Sequence, residues 1–414
     1  MHSSSRGAAA ARTALDALER FGIRLDLDRM RALMRALGDP QAELAAVHIV
    51  GTNGKSSTTR MCAAALTASG LHVGTYLSPH IVGLEERVQI DGAALSAERF
   101  DRIVVRVLDA ADAVADELGE GPTQFEALTA VAFVAFAEEG LDAVCVEAGL
   151  GGRLDATNVL DARVVGLTNV GLDHTAVLGD TPLAIMGEKI AVVSPGAVVV
   201  LGELSDELAA TATADALARG AREVRRVPAD DLAAAAGLLA AGYQRPNAAL
   251  ALACARAFLE PVELDVAAVR EAIAAAAPPG RLELRPGAPL ELRDGAHNPH
   301  GMRALVAELD SVLGDRRPRV ALVALQADKD GAGILELLAP HVDRVVATSS
   351  GHTGALAPAA VASLARAAGV EADEIDDPAA ARVAARASAG PDGAVVICGT
   401  LYLLSRLAAL EAAR

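Results

Sequence analysis

Short apolar runs alternate with helix-patterned stretches along most of this chain, and that alternation leaves few folds open. Val47–Val50, Val73–Tyr76, Ala143–Glu147, Val164–Thr168 and Ala197–Leu201 are short runs rich in β-branched residues. Between them lie stretches of helical pattern, Lys55–Ser69 and Gln124–Glu139 among them. Strands alternating with helices imply an α/β fold with a mainly parallel sheet, receiving ligands at the carboxyl ends of its strands. A helical pattern from Thr13 to Leu37 precedes the first strand, and the leader Met1–Ala11 lacks the sustained apolar core of a signal peptide. The Ala-rich segments Leu232–Ala241 and Asn247–Phe258, and then Val266–Ala277, read as packed helices, because Ala is the best helix former. Pro278-Pro-Gly280-Arg281 breaks the last of these and is the best place for a hinge. Beyond it, Val320–Leu325, Arg344–Thr348 and Ala394–Cys398 have strand character, interleaved with helices near Leu335, at Ala359–Ala368 and at Ala379–Ala387. The predicted division is residues 1–281 and a smaller α/β domain, 282–414, within the usual size range of domains.

Composition narrows the function. At 414 residues and 52% hydrophobic content, the chain can bury two cores. A net charge of −17 argues against the nonspecific phosphate binding of nucleic-acid proteins and against a polybasic membrane contact. With 2% aromatic residues and no Trp, base-stacking platforms are not expected either. No apolar stretch reaches the roughly 20 residues of a membrane span. Cys62, Cys145, Cys254 and Cys398 are scattered without a CxxC pair, so they read as small buried hydrophobes in a reduced compartment, and the expected location is cytoplasmic.

Of the 37 basic residues only Lys55, Lys189 and Lys329 are lysine. A chain so biased toward Arg keeps Lys chiefly where a guanidinium cannot substitute, as a compact point charge or as an amine open to covalent modification. Lys55 lies in Gly51-Thr52-Asn53-Gly54-Lys55-Ser56-Ser57, after a strand and at the start of a helix. There, backbone N–H groups can cradle phosphate, Lys reach the outer phosphates and a hydroxyl bind Mg²⁺. The spacing is shorter than the eight-residue phosphate loop, so on its own the segment fits either a nucleotide site or an ordinary strand-to-helix turn. Glu147, Asp173-His174 and Ser78-Pro79-His80 also stand at or just past strand ends. Together they offer the hard oxygen donors that Mg²⁺ takes.

These segments resemble the folylpolyglutamate synthase/dihydrofolate synthase family of Mur-type ligases. The resemblance is carried by the phosphate loop, Glu147–Asn158, Leu172–Lys189, Thr123-Gln124-Phe125-Glu126, Gln244, Asn247, Pro279-Gly-Arg281, Asp294-Gly-Ala-His297-Asn-Pro299 and Ala327-Asp-Lys-Asp330. It runs in order from about Leu25 to Leu403. It implies a Mur-ligase-like fold: an N-terminal P-loop ATP-binding domain with a mainly parallel sheet, and a smaller C-terminal Rossmann-like domain. The implied activity is ATP-dependent ligation of L-glutamate to dihydropteroate or a reduced folate through an acyl phosphate.

By the same resemblance, Thr52 to Ser57 would surround ATP, with Lys55 on the β- and γ-phosphates. Ser57 rather than Ser56, Ser78 and Glu147 would hold one Mg²⁺, and His174 with a carbamylated Lys189 a second. Asn247, Arg281, Asp294 and His297 would hold nucleotide, and Thr123, Gln124, Phe125, Glu126, Leu154, Asp155 and Ala156 would face the pterin. The implied catalytic set is Lys55, Glu147, His174 and Lys189, in a monomer. The plainer reading of Lys189 is a helix lysine paired with Glu188 or Asp180. Lys329 and His297 could equally brace loops. Ser56 stands where the family has Gly, and Thr348–Pro358 matches weakly, which leaves the glutamate contacts unassigned. Two other functions stay open: a Mur-type ligase for another carboxylate, and a non-catalytic nucleotide-binding regulator.

Overall fold

The computed structural model describes residues 7–18, 26–238, 242–276 and 278–412. Most of the leader, residues 19–25 of the expected first helix, 239–241 of the Ala-rich segment and residue 277 lie outside the described residues. The first sheet has eight strands, in the edge-to-edge order Ala93–Ala94, Val88–Ile90, Val73–Tyr76, Ala143–Glu147, Ala46–Val50, Val164–Asn169, Val198–Glu203 and Glu223–Arg226. All neighbours are parallel except at the first edge, where Val73–Tyr76, Val88–Ile90 and Ala93–Ala94 meander antiparallel. From Ala46–Val50 the chain passes first to one flank and later to the other. The crevice at its carboxyl end is therefore the switch point at which such sheets take ligands.

The second sheet runs Ala372–Glu374, Arg344–Ala347, Arg319–Val323, Ala394–Cys398, Leu290–Arg293, Glu283–Arg285, parallel but for the last pair. Each sheet buries an apolar layer on both faces. On the first these include Phe133, Phe136 and Val146 on one side and Met61, Leu66 and Leu250 on the other. On the second they include Leu305 and Val323 on one side and Val320 and Leu403 on the other. The four cysteines are buried and free, and no helix among the described residues is long and apolar enough to cross a membrane.

Two expectations need correction. Thr13–Leu37 is not one helix: Ala8–Ala17 and Asp28–Leu37 are separate, with Asp26 and Leu27 non-helical and the Asp26 carboxylate accepting the Asp28 N–H. Asp is a residue that competes for backbone donors in this way. The second miss is a central strand, Leu290–Arg293, whose alternating charges hid it. Glu291 is 1% exposed yet meets Arg293, Arg382 and Arg386. Burial raises its carboxyl, but Arg382 and Arg386 outweigh that and hold it below the usual range. A buried charge survives only when paired in this way.

Candidate active site between the two sheets

Gly51–Ser57 folds as the sequence suggests, as a turn leading into the helix Lys55–Ala68. Gly54 has φ +83°, and a Cβ there would lie 2.2 Å from Asn247 Oδ1, so only glycine fits. Thr52 Oγ1 accepts from Gly171 N (3.0 Å), and Thr168 Oγ1 donates to Asn53 O (2.7 Å), fixing the loop to the neighbouring strand end. Lys55 Nζ donates to Gly51 O and Thr52 O, each at 3.2 Å.

Glu147 ends the adjacent strand, 2% exposed. Ser56 Oγ donates to its Oε1 at 2.9 Å and Ser78 N to its Oε2 at 3.1 Å. Of the two serines it is Ser56 that meets the carboxylate directly. Ser57, about 100° further round the helix, is 2% exposed and also reaches the cavity. Burial pushes the Glu147 carboxyl upward, opposed by Lys55, the Ser78 N–H, the Ser56 hydroxyl and Arg281.

Lys189, near the end of the helix Pro182–Ile190, is 3% exposed. Its Nζ donates to Gly51 O at 2.9 Å, the carbonyl that Lys55 also uses. Burial, with Lys55 adding, lowers its pKa to about 7. Of the two carboxylates the plain reading offered this lysine, Glu188 pairs with Arg153 at 2.9 Å. The Gly-rich segment packs directly on this turn: a Cβ at Gly152 would lie 2.6 Å from Glu188 O and 2.8 Å from Lys189 O. Gly152→Ala should therefore cost about 1–3 kcal/mol of stability and displace Lys189. Urea denaturation and activity measured on one preparation check this.

His174 caps the short helix Thr175–Leu178 with φ +49° and ψ +39°, a left-handed conformation uncommon for histidine. Burial lowers its pKa, with Lys329 adding to the effect and Asp173 opposing it. Asp173 Oδ1 receives Lys329 Nζ at 2.7 Å, and its Oδ2 receives Asn298 Nδ2 at 2.9 Å, with His297 Nε2 at 3.6 Å. Burial raises the Asp173 carboxyl, but His297, Lys329 and His174 outweigh it and hold the group well below the usual carboxylate range. Lys329, His297 and Asn298 come from the second sheet's side, so Asp173 is a point of contact between the halves. Asn53 makes another, exchanging side-chain amide bonds with Asn298 (3.3 and 3.2 Å) and meeting His300 Nδ1 at 3.0 Å.

These groups line one cavity of about 680 Å³. Thr52 to Ser57, Ser78, Thr123 to Glu126, Glu147, Leu154 to Ala156, His174, Lys189, Arg281 and His297 all reach it. Thr123 and Glu126 form a capping box, and Glu126 also pairs with Arg29 at 3.3 Å, so Phe125, packed on Gly149, is the open apolar wall. Asp155 turns its carboxylate back onto Leu150 N and Thr157, bracing the Gly-rich loop. Asn247 and Asp294 do not line the cavity. Asn247 underlies Gly54 and donates to Gln244, while Asp294 accepts from Tyr243 and Leu282 N at the hinge.

Sequence reasoning missed Arg87, Gln326, His352 and Tyr402, which also line the cavity. His352 stacks on Tyr402 at 3.9 Å, and Gln326 Nε2 donates to its Nδ1 at 2.9 Å. The weakly matching Thr348–Pro358 segment was the one signal that could have found His352.

Comparison with known proteins gives a consistent answer. Residues 280–401 match the family described as Mur ligase, glutamate ligase domain. A dihydrofolate synthase/folylpolyglutamate synthase from Mycobacterium tuberculosis is 35% identical over 369 residues, covering 80% of this chain and 75% of that protein. The crystal structure of a folylpolyglutamate synthase from the same organism, complexed with ADP and AMPPCP, is similar with a TM-score of 0.88 and 31% identity, over 98% of this chain and 99% of that one. Escherichia coli FolC in complex with DHPP and ADP gives 0.85 and 29%, over 99% of each chain. The Yersinia pestis bifunctional folylpolyglutamate synthase/dihydrofolate synthase with Mn, AMPPNP and L-glutamate bound gives 0.84 and 29%, over 99% of this chain and 100% of that one.

Proposed function

Since this chain belongs to the folylpolyglutamate synthase/dihydrofolate synthase family of Mur-type ligases, we propose that its interlobe cavity is where a pterin acid is activated and joined to glutamate. The protein is an ATP-dependent amide ligase that adds L-glutamate to dihydropteroate and/or reduced folates, and it uses ATP with a divalent metal ion. The observation that carries the site assignment is the convergence of Lys55, Glu147, His174 and Lys189 on one cavity at the sheet's switch point.

The reaction has two displacements. The substrate carboxylate oxygen attacks the γ-phosphorus of ATP, giving an acyl phosphate and ADP. The α-amine of glutamate then attacks the acyl carbon, loses a proton and expels phosphate, leaving an amide. Positioning and charge stabilisation carry most of the first step. Lys55 meets the outer phosphates, with Arg281 on the γ-phosphate, while Phe125, Leu154 and Ala156 wall the pterin. Asn247 and Asp294 act on the nucleotide through Gly54 and the hinge. Closure of residues 1–281 on 282–414 excludes water from the acyl phosphate. Two sheets with separate cores support that division into an ATPase and pterin-binding domain and a glutamate-ligase domain.

The donors suit Mg²⁺ at one position. Glu147 is a buried carboxylate in no ion pair among the described residues, flanked by the Ser56 hydroxyl and Ser78. Hard oxygen donors of this kind, completed by water and phosphate, are what the ion takes, and when bound it would neutralise phosphate oxygens. A second ion at His174 requires Lys189 to lose its positive charge. Its neutral amine can add CO₂, releasing a proton and forming a carbamate, and its burial supports that reading. The enzyme acts as a monomer in the cytoplasm on this view.

The test supplies dihydropteroate and tetrahydrofolate separately with ATP, Mg²⁺ and glutamate, following phosphate release. Glutamate-dependent release with at least one of them is expected. Release only with an unrelated carboxylate would instead favour another Mur-type ligase, and absence of ATP turnover with any acid would favour a regulator.

A further inference from the structure

Lys329 donates 2.7 Å to Asp173 Oδ1 and 2.9 Å to His174 Nε2, and its side chain is 8% exposed. An ammonium has only hydrogens to offer, so His174 Nε2 must accept with its ring lone pair. The ring proton then sits on Nδ1, the side facing Asp328 Oδ2 at 3.8 Å. A metal ion at His174 would need a ring lone pair of the neutral imidazole as well. The lone pair on Nε2 cannot serve the ammonium and a cation together. Asp173, with one oxygen on Lys329 and the other on Asn298, is likewise already committed.

We propose that Lys329 is an internal competitor for the divalent cation at His174: ammonium and metal are alternative occupants of the same ligands, and metal entry releases Lys329 from Asp173 and His174 into the cavity. The inference rests on the reading of His174 as a metal-holding residue given above. The lysine comes from the second sheet's side and its partners from the first, so the exchange also unfastens an ion pair between the halves. Lysine suits this task because its charge rides on a flexible four-carbon stem and can swing to phosphoryl oxygens a short distance away. Lys329 is one of the pocket-lining residues, so it has room to do so.

Mn²⁺ binding to the full chain with AMPPNP, read by electron paramagnetic resonance, tests the idea without turnover. Lys329→Met and Lys329→Gln remove the competitor, and one Mn²⁺ site should tighten by about 5- to 150-fold, the range of ordinary coupling free energies. Lys329→Arg keeps a cation and should stay near the parent. His174→Ala should lose that site. Unchanged or weakened Mn²⁺ binding in both neutral variants, with the site still lost in His174→Ala, would overturn the competition while leaving His174 as a ligand. Unchanged binding in His174→Ala would instead remove the reading on which the proposal stands. Circular dichroism of each variant, together with the use of two neutral replacements, separates a folding failure from either outcome.

Discussion

Arginine in place of Lys189 should give a folded protein that still binds nucleotide but turns over about 10²–10³-fold more slowly, the scale of losing a preorganised polar group in a closed site. The reason is protonation. Lys189 is buried and its pKa falls to about 7, so near neutrality a large share of the amine is uncharged and able to take up CO₂. A guanidinium stays charged throughout the accessible range and cannot form the carbamate. Activity of the parent enzyme should drop in bicarbonate-free buffer and return on adding bicarbonate. Steady-state kinetics on matched buffers measures both.

Stability should move the other way. The unfolded lysine titrates near 10.5 and the folded one near 7, so between those values the unfolded chain holds more protons. Stability therefore rises with pH across that window, by up to about 1.4 kcal/mol per pH unit, and the full penalty is present below pH 7. Lys189→Met removes the penalty and gives up one hydrogen bond to Gly51 O. It should melt above the parent at pH 7 in bicarbonate-free buffer, with the gap closing as pH approaches 10. A lead that persists undiminished at high pH would contradict a titrating buried amine.

The second large effect is expected from Glu147→Gln. The amide keeps the shape: its single oxygen can still accept from the Ser78 N–H while its N–H₂ donates to a reoriented Ser56 hydroxyl, but the charge that would attract the metal is gone. Turnover should fall by about 10²–10³-fold, and nucleotide affinity should lose its dependence on divalent ion, measured by calorimetry with and without Mg²⁺. Because burial raises this carboxyl, the folded state binds its proton more readily than the unfolded one. The ionised group destabilises above the folded pKa, and that cost disappears as pH falls below the ordinary glutamate value. The glutamine variant should therefore be the more stable protein at neutral pH and lose its advantage in acid.

What the sequence made legible was the first sheet's strand-and-turn rhythm and the residues standing at its ends. Glu147 and Asp173-His174 could be placed because their strands are apolar and their position at the exit is read directly. The strand Leu290–Arg293 could not, since its charges are buried by partners more than 80 residues away, Arg382 and Arg386. Which of Ser56 and Ser57 bonds Glu147 needed the helix phase, which a repeated serine does not reveal. Asp155 stands on the cavity wall as expected, but its bonds to Leu150 and Thr157, which hold its own loop, could not be read from the sequence. His352 and Tyr402 come together only through the fold, in a segment with no strong motif.

The amide exchange between Asn53 and Asn298 has a consequence for the whole cycle. A residue inside the Gly51–Ser57 loop is also a fastening for the opposite half of the molecule. Whatever reshapes that loop tugs on the far side, and whatever settles on the far side is felt in the loop. Thermodynamic reciprocity then requires that glutamate and nucleotide alter each other's hold on the protein by the same factor.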